Sequence, residues 1–240
     1  SNWQIKSDGL EATEAVHATT SPTQQDIISI GTQDNGELYH KNDGWFTNRG
    51  GDWYTAMSFD FTPNGYVYYH DGLERRNPVN GGNQDFGLPA VQSSNNLQMA
   101  FTHRNYDLAF AGTTQLFRTT NLSDPNPEWE LVHDEGFQVK SIQIHPRNPE
   151  IVAVIMLNNR IYKTHNALDA EPVFDAIELG TGSGNSSSLA MDINDDKIMY
   201  VALGTKVYRT YDDGVNWENI TGTLPSVNVK KMFLDSARND

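Results

Sequence analysis

The sequence predicts an all-β protein of about five repeated four-stranded units. Short runs of β-branched and aromatic residues alternate with turns rich in Gly, Asn, Asp and Pro, and no stretch has a convincing helical period. A short alternating strand followed by a polar turn recurs six times, and its last residues are separated by 41, 40, 43, 49 and 41 positions. A period of about 40–50 residues with several short strands is typical of β-propeller blades.

Each predicted unit contains four strands in the same order. The first strand alternates, the second is apolar, and the fourth often starts on Trp. The third strand has the form apolar–aromatic–basic–Thr in three units, at residues 116–119, 161–164 and 207–210. Residues 77–96 are rich in Gly and Asn, which predicts a long loop around a weak fourth strand. The predicted units are residues 14–54, 55–95, 96–137, 138–186 and 187–226.

Both ends of the sequence resemble parts of a unit. Residues 1–13 contain N-W-Q-I, which matches the fourth-strand run N-W-E-N-I, so they predict the last strand of a preceding blade. Residues 227–240 contain V-K-K-M-F-L-D, which matches the first-strand run V-K-S-I-Q-I-H and predicts the first strand of a following blade. We therefore expect a segment of a larger propeller, with seven or more blades, completed by the same polypeptide or another chain. The alternative is that strands slide to form a gapped or smaller ring.

Composition excludes several classes of function. The 240 residues carry a formal net charge of −14, from 17 basic and 31 acidic side chains, which argues against nucleic acid and anionic membrane surfaces as partners. No apolar run approaches the roughly 20 residues of a spanning helix, so we expect no membrane insertion. The sequence has no Cys, which excludes disulfides and thiolate metal sites and fits an exported bacterial protein.

The clearest single motif is T-Y-D-D-G-V-N-W at residues 210–217. It resembles the Asp-box (BNR repeat, S/T-x-D-x-G-x-x-W) of the sialidase-like, sortilin-like and xyloglucanase-like β-propellers. The resemblance implies a structural role for Thr210, Asp212, Gly214 and Trp217. In that box the Asp caps backbone amides of its own turn, Gly takes the tight bend, and Trp fills the gap between neighbouring sheets. It also implies an exported or cell-surface protein.

A second resemblance indicates where a ligand would bind. The segments G-T-Q-D-N-G at residues 31–36 and G-G-D-W at residues 50–53 resemble segments of bacterial-surface Asp-box propellers and of related glycosyl hydrolases, although Trp53 replaces the usual Gly. Amide and carboxylate groups suit the hydroxyls of a sugar, and aromatic rings can stack on a pyranose. A purely structural interpretation is that D-N-G forms a hairpin turn. The candidate ligand-binding residues are Gln33, Asp34, Asn35, Asp52, Trp53 and Tyr54.

These observations favour a non-catalytic binding or scaffold module that recognises a glycan or protein partner. The alternative is part of a glycoside hydrolase, in which Asp34 and Asp52 would be the acid and base because glycoside hydrolysis needs two carboxyls about 5–10 Å apart. A sortilin-like receptor segment is a third, less favoured possibility, since the accompanying cysteine-rich module is absent. We expect no required cofactor. A calcium site is a weaker possibility in D-I-N-D-D, which supplies oxygen ligands from Asp192, Asn194, Asp195 and Asp196.

Overall fold

A computed structural model describes most of the second half of the chain and shorter parts of the first half. The strands are short, and antiparallel pairing by tight turns follows from the alternation of apolar runs with Gly, Asn and Asp. The described residues are 14–20, 28–33, 36–41, 44–49, 58–59, 67–68, 74–76, 83–85, 87–89, 97–102, 105–157, 159–179 and 186–234.

Among the described residues, twenty strands form five separate four-stranded antiparallel sheets, which we number blades 1 to 5. Blade 1 contains β1 (Glu14–Thr20), β2 (Ile28–Gln33), β3 (Glu37–Lys41) and β4 (Gly44–Arg49). Blade 2 contains β5 (Ser58–Phe59), β6 (Val67–Tyr68), β7 (Glu74–Arg76) and β8 (Asn83–Asp85). Blade 3 contains β9 (Gln98–Thr102), β10 (Asn105–Gly112), β11 (Gln115–Thr119) and β12 (Glu130–Asp134). Blade 4 contains β13 (Val139–Ile144), β14 (Val152–Met156), β15 (Ile161–Thr164) and β16 (Asp175–Ile177). Blade 5 contains β17 (Ser186–Met191), β18 (Met199–Leu203), β19 (Lys206–Thr210) and β20 (Glu218–Asn219).

Within every blade the strands pair in chain order, so each sheet is a simple meander. The first strands of neighbouring blades lie close together, as β9 with β13 and β13 with β17. The part of the chain that the structure describes contains no helix. This arrangement is that of a β-propeller segment, and it confirms the predicted fold class.

The core lies between the blades, because apolar side chains of neighbouring sheets pack against one another. The strand β14 shows this most clearly, since all five of its residues are buried. Val152 and Val154 belong to the apolar cluster shared with blade 3, whereas Ala153 and Ile155 belong to the cluster shared with blade 5. A strand covered on both faces needs no polar alternation, which explains the continuous run V-A-V-I-M.

The fourth strands differ from the prediction that they start on Trp. In blades 3 and 5 the strands begin one residue later, at Glu130 and Glu218, and Trp129 and Trp217 complete the preceding turns. Both rings pack against apolar clusters between blades. Burying a large aromatic ring stabilises the fold more than one further backbone hydrogen-bonded pair would, which explains why these strands begin one residue later than predicted.

Candidate functional site

Most of the predicted ligand-binding residues lie outside the part of the chain that the structure describes. Asp34, Asn35, Asp52, Trp53 and Tyr54 belong to this group, so their binding and catalytic roles stay predictions.

The predicted ligand-binding residue Gln33 is the last residue of β2, next to a tight connection. The backbone amide and the hydroxyl of Thr32 both donate to the carbonyl of Gly36, at 3.1 and 2.5 Å, and Gly36 has a φ of 81°. These contacts are those of a hairpin connection between β2 and β3.

The predicted box at residues 210–217 is a turn held by its own side chains. The Thr210 hydroxyl donates to Asp212 Oδ1 at 2.8 Å and accepts the amide of Gly214 at 2.9 Å. Asp212 in turn accepts the backbone amide of Asn216 at 2.8 Å and its side-chain amide at 2.6 Å. Asn216, together with Thr210, lowers the pKa of Asp212. The ring of Trp217 packs against the apolar cluster between blades 4 and 5.

Blade 3 contains a second turn of the same construction, which the sequence analysis missed. The Thr119 hydroxyl donates to Asn121 Oδ1 at 2.9 Å, and the same Asn121 oxygen accepts the amide of Glu128 at 2.9 Å. The Asn121 side-chain amide donates to Asp124 at 3.0 Å. Trp129 then packs between blades, as the last residue of the box does. Asn121 therefore takes the place of the capping Asp, and three more residues separate Thr119 from Trp129 than separate Thr210 from Trp217.

Blade 4 repeats this variant. The Thr164 hydroxyl donates to Asn166 Oδ1 at 2.7 Å, that oxygen accepts the amide of Val173 at 3.0 Å, and the Asn166 amide donates to Asp169 at 2.9 Å. Phe174 takes the aromatic position. A search for Thr-x-Asn followed by Asp and then by an aromatic residue would have found both turns. We call these three segments the capped turns: residues 119–129 of blade 3, 164–174 of blade 4 and 210–217 of blade 5.

Each capped turn is also bonded to the beginning of the second strand of its own blade or to the connection just before it. In all three turns the amide that follows the capping Asn or Asp donates to a backbone carbonyl there, which in blade 3 lies within β10 and in blades 4 and 5 lies before β14 and β18. The bonds run from Leu122 to Asp107 at 3.0 Å, from Ala167 to Glu150 at 2.9 Å and from Asp213 to Lys197 at 3.0 Å. The turns therefore fix the third strand to the start of the second.

In blades 3 and 4 the basic residue of the third strand joins the blade to the next one. Arg118 of blade 3 donates to the carbonyls of Ala167 and Asp169 in the capped turn of blade 4, at 2.5 and 2.7 Å. The other side of its guanidinium pairs with Glu130 of its own blade at 2.5 Å. Only 4% of the Arg118 side chain is exposed. An always-charged planar fork suits this double contact, because it can serve two blades at once.

Lys163 makes the same connection from blade 4 to blade 5. Its ammonium donates to the carbonyl of Asp196 at 2.5 Å and pairs with the carboxylate of Asp213, and 2% of the side chain is exposed. Asp213 lies in the left-handed region with a φ of 61°, which Asp tolerates better than most residues. Its second oxygen contacts His165 Nε2 at 2.9 Å. A buried cation, a carboxylate and a carbonyl thus satisfy one another across the junction.

Gly214 of blade 5 lies in close contact with Ile177 of blade 4. A Cβ added there would be 2.5 Å from Cγ2 of Ile177, and the residue has a φ of 88°. The site therefore requires Gly for two independent reasons, a steric one and a conformational one.

The predicted calcium ligands form a turn that uses its own polar groups. Asp192 Oδ1 accepts the amides of Asn194 and Asp195, at 2.7 and 3.1 Å, and Asp195 Oδ1 accepts the amide of Lys197 at 3.0 Å. His145 occupies the matching position in blade 4, where Nδ1 accepts two backbone amides. Burial lowers the pKa of His145. Within the described ranges no three acidic or His side chains are placed to hold a metal ion.

His133 introduces a titratable ring into the apolar contact between blades 3 and 4. Its ring centroid lies 4.6 Å from that of Tyr162 and 4.8 Å from that of Phe174. Burial is the main cause that lowers the pKa of His133, and the nearby carboxylates of Glu135 and Asp134 oppose it. The surroundings of the imidazole therefore disfavour its charged form.

Comparison with known proteins identifies the fold alone. No protein-family model matches the chain, and no curated protein sequence matches it closely enough to count as a relative. No helix of membrane-spanning length and hydrophobicity occurs among the described residues.

Three solved structures illustrate the likeness in fold. An ancestral GH74 enzyme superimposes with a TM-score of 0.68 at 15% identity, over 90% of this chain and 32% of that one. The GH74 enzyme of Niastella koreensis gives 0.68 at 10% identity, over 86% of this chain and 38% of that one. Virginiamycin B lyase from Staphylococcus aureus gives 0.67 at 14% identity, over 91% and 73%. The chain therefore spans well under half the length of the two GH74 enzymes.

Proposed function

We propose that the chain is part of an Asp-box β-propeller that serves as a non-catalytic binding or scaffold module of an exported or cell-surface bacterial protein. The observation that carries this proposal is the recurrence of the capped turn in three successive blades. In each turn the carboxylate or amide oxygen at the capping position accepts hydrogen bonds from its own turn. These polar groups hold the scaffold together, which leaves ligand recognition to the loops at its ends.

The proposed ligand surface combines residues 33–35 with residues 52–54, and it recognises a glycan or a protein. Repeat geometry supports a common location. At the junction of blades 3 and 4 the first residue of β13, Val139, donates to Thr113 in the hairpin between β10 and β11 at 2.6 Å. The start of the first strand of blade 4 thus lies beside the hairpin that joins the second and third strands of blade 3. By the same connectivity, the segment that enters β5 would lie beside the hairpin after Gln33.

The second candidate is part of a glycoside hydrolase that acts on polysaccharide, with Asp34 and Asp52 as the acid and base. Two of the structural neighbours are GH74 enzymes, and this observation favours the candidate. Because the chain covers only about a third of their length, it would supply only part of such a site.

The experiment that separates the candidates combines a glycan array with an assay of reducing-sugar release from plant and microbial polysaccharides. We expect binding without release, and we expect Trp53→Ala to weaken binding because the stacking ring is lost. Glu171→Gln, an exposed change in the capped turn of blade 4, is the matched control and should bind normally. If no glycan binds, the glycan part of the proposal is wrong and a protein is the remaining partner.

Release of sugar would favour the hydrolase. If release disappears in Asp34→Asn or in Asp52→Asn, the second candidate holds with those residues. Release that survives both substitutions would show that the reacting carboxyls lie elsewhere. Fractionation of the native bacterium tests location, since the proposal requires the protein outside the cytoplasm.

A further inference from the structure

The connection from blade 3 to blade 4 carries an exposed aromatic ring. Phe137 lies in this connection, two residues before β13, and is 44% exposed. Leu157, in the hairpin between β14 and β15, is 42% exposed, and its amide donates to the carbonyl of Gln138 at 2.7 Å. The two apolar residues therefore belong to neighbouring segments at one end of the blades. We call it the hairpin end, because it carries the hairpins between second and third strands.

Hydrogen bonds fix the connection on both sides of Phe137. Before the ring, Asp134 Oδ2 accepts the side-chain amide of Gln115 at 2.7 Å, and Asp134 Oδ1 accepts the backbone amide of Gly136 at 3.0 Å. After the ring, the start of β13 is bonded to the hairpin of blade 3, as described above. A connection that is bonded before and after its exposed ring presents that ring in one place, as a binding residue on a rigid scaffold requires.

Charged groups lie in the same segments as the apolar pair. Glu135 belongs to the connection and is exposed. Arg160 belongs to the hairpin of Leu157 and pairs with Glu178 at 3.3 Å, with 49% and 72% of these two side chains exposed. Carboxylates and a guanidinium can hydrogen-bond to sugar hydroxyls, and an aromatic ring can stack on a pyranose. The chemistry of this part of the hairpin end therefore suits a glycan.

The same pair of groups occurs at matching positions in the first predicted ligand surface. Counted back from the Pro that ends each first-strand run, at positions 63 and 146, Phe137 matches Tyr54 and Glu135 matches Asp52. The hairpin before each pair starts with Gly-Thr, at residues 31–32 and 112–113. Ser stands at the position of the ring in two other units, at 94 and 186, so the repeat itself does not require an aromatic residue there.

We propose that Phe137, Leu157 and Glu135 form a second glycan-binding position, and that the ligand is a polysaccharide chain that occupies this position and that of residues 52–54 together. The inference rests on the glycan form of the proposed function and deepens it, because two matching positions on one end suit a ligand that is itself a repeat. A protein partner would not require the same pair of groups twice. Each position binds weakly alone, and a chain that reaches both gains affinity because its second contact is intramolecular.

The test measures binding of the complete natural polypeptide to four soluble polysaccharides, namely mixed-linkage β-glucan, galactomannan, xylan and pectin, by affinity electrophoresis. We expect Phe137→Ala to weaken binding to the polymer that the wild type binds roughly tenfold or more. Phe137→Tyr keeps the ring and should bind as the wild type does. Leu131→Ala, an exposed change on the outer strand of the same blade, is the matched control.

Titration calorimetry with a trisaccharide of the bound polymer gives a second measure. We expect two bound molecules per wild-type chain and one per Phe137→Ala chain, with the affinity of the remaining position unchanged. A loss in Phe137→Tyr as large as that in Phe137→Ala would show that the fold of the connection, and not the ring, matters, and would overturn the second position.

The results also separate this inference from the proposed function. Polymer binding that is normal in Phe137→Ala but weakened in Tyr54→Ala would overturn the second position and leave the proposed function intact. Weakening in Phe137→Ala but in neither Trp53→Ala nor Tyr54→Ala would contradict joint occupation of the two positions. A wild type that binds none of the four polymers and nothing on the glycan array would overturn the glycan form of the proposed function, and this inference with it.

Discussion

The junction between blades 4 and 5 and the side of blade 5 that carries Arg209 and Ile220 contain the same kinds of residues in different environments. At the junction, Lys163 is buried against a carboxylate and a carbonyl of the next blade, and Ile177 is covered by Gly214. On the other side of blade 5, Arg209 pairs within its own blade and Ile220 is half-buried.

The difference shows that burial of a repeat position depends on the neighbouring blade. The third-strand motif supplies a cation and an aromatic residue, but the acceptors for the cation come from residues about 50 positions later in the chain. A substitution should therefore have a large effect where the cation is buried against acceptors of the next blade, and a small effect where the cation is partly exposed and pairs within its own blade. The predictions below test this rule.

The largest effect is expected for Lys163→Met. The change leaves the carboxylate of Asp213 and the carbonyl of Asp196 without their cation, and removing one partner of a buried pair costs roughly 3 kcal/mol. Chemical denaturation measures the loss. Arg209→Met in the same 240-residue chain is the control and should cost under about 1 kcal/mol, because exposed pairs contribute little. Equal losses for the two variants would disprove the rule.

Gly214→Ala should have the next largest effect, roughly 2–3 kcal/mol, because the added Cβ meets Ile177 and the residue has positive φ. Gly136→Ala is the matched control, since Gly136 also has positive φ, at 68°, but a Cβ there would meet nothing within 4 Å. It should cost about 1 kcal/mol from backbone strain alone. The difference between the two thermal midpoints isolates the contact between blades. A difference near zero would show that the Ile177 side chain moves away from the added methyl group at no cost in stability.

A smaller effect is expected at the capping position of blade 5. Asn caps the turns of blades 3 and 4, so Asp212→Asn should be tolerated, whereas Asp212→Ala should lower stability measurably. The pKa of Asp212 is lowered from 3.8, so its contribution is present above about pH 3.8 and is lost as the pH falls below that value. Acid titration of unfolding should therefore show a shallower loss in Asp212→Asn than in wild type. Identical titrations would contradict the assignment.

The smallest effect concerns His133 at the junction of blades 3 and 4. Burial lowers its pKa from 6.5, so the folded state disfavours the charged ring. Stability is full above about pH 6.5 and declines as the pH falls below it. His133→Leu should remove that part of the decline, which chemical denaturation at about pH 7.5 and pH 5 would measure. An unchanged pH dependence would show that other groups, such as His145, account for it.

Local features of this protein could be predicted from its sequence. The turn at residues 210–217 is readable because its hydrogen bonds join residues two to four positions apart. The turns at residues 119–129 and 164–174 are equally local, and were missed because Asn replaces Asp and three residues are inserted before the ring. The prediction that Trp129 and Trp217 start the fourth strands was also wrong. The alternation of apolar and polar residues along a strand does not show which aromatic residue lies just before the strand and packs into the core.

The sequence by itself determined the strands, the period of the blades and the chemistry available at each repeat position, because these depend on neighbouring residues along the chain. Only the tertiary structure decided which of those positions are buried and what they bond. The acceptors of Arg118 and Lys163 come from the following blade, and the space above Ile177 is closed by a glycine 37 positions later. Contacts between sheets are set by how the sheets pack, and no local pattern records that packing.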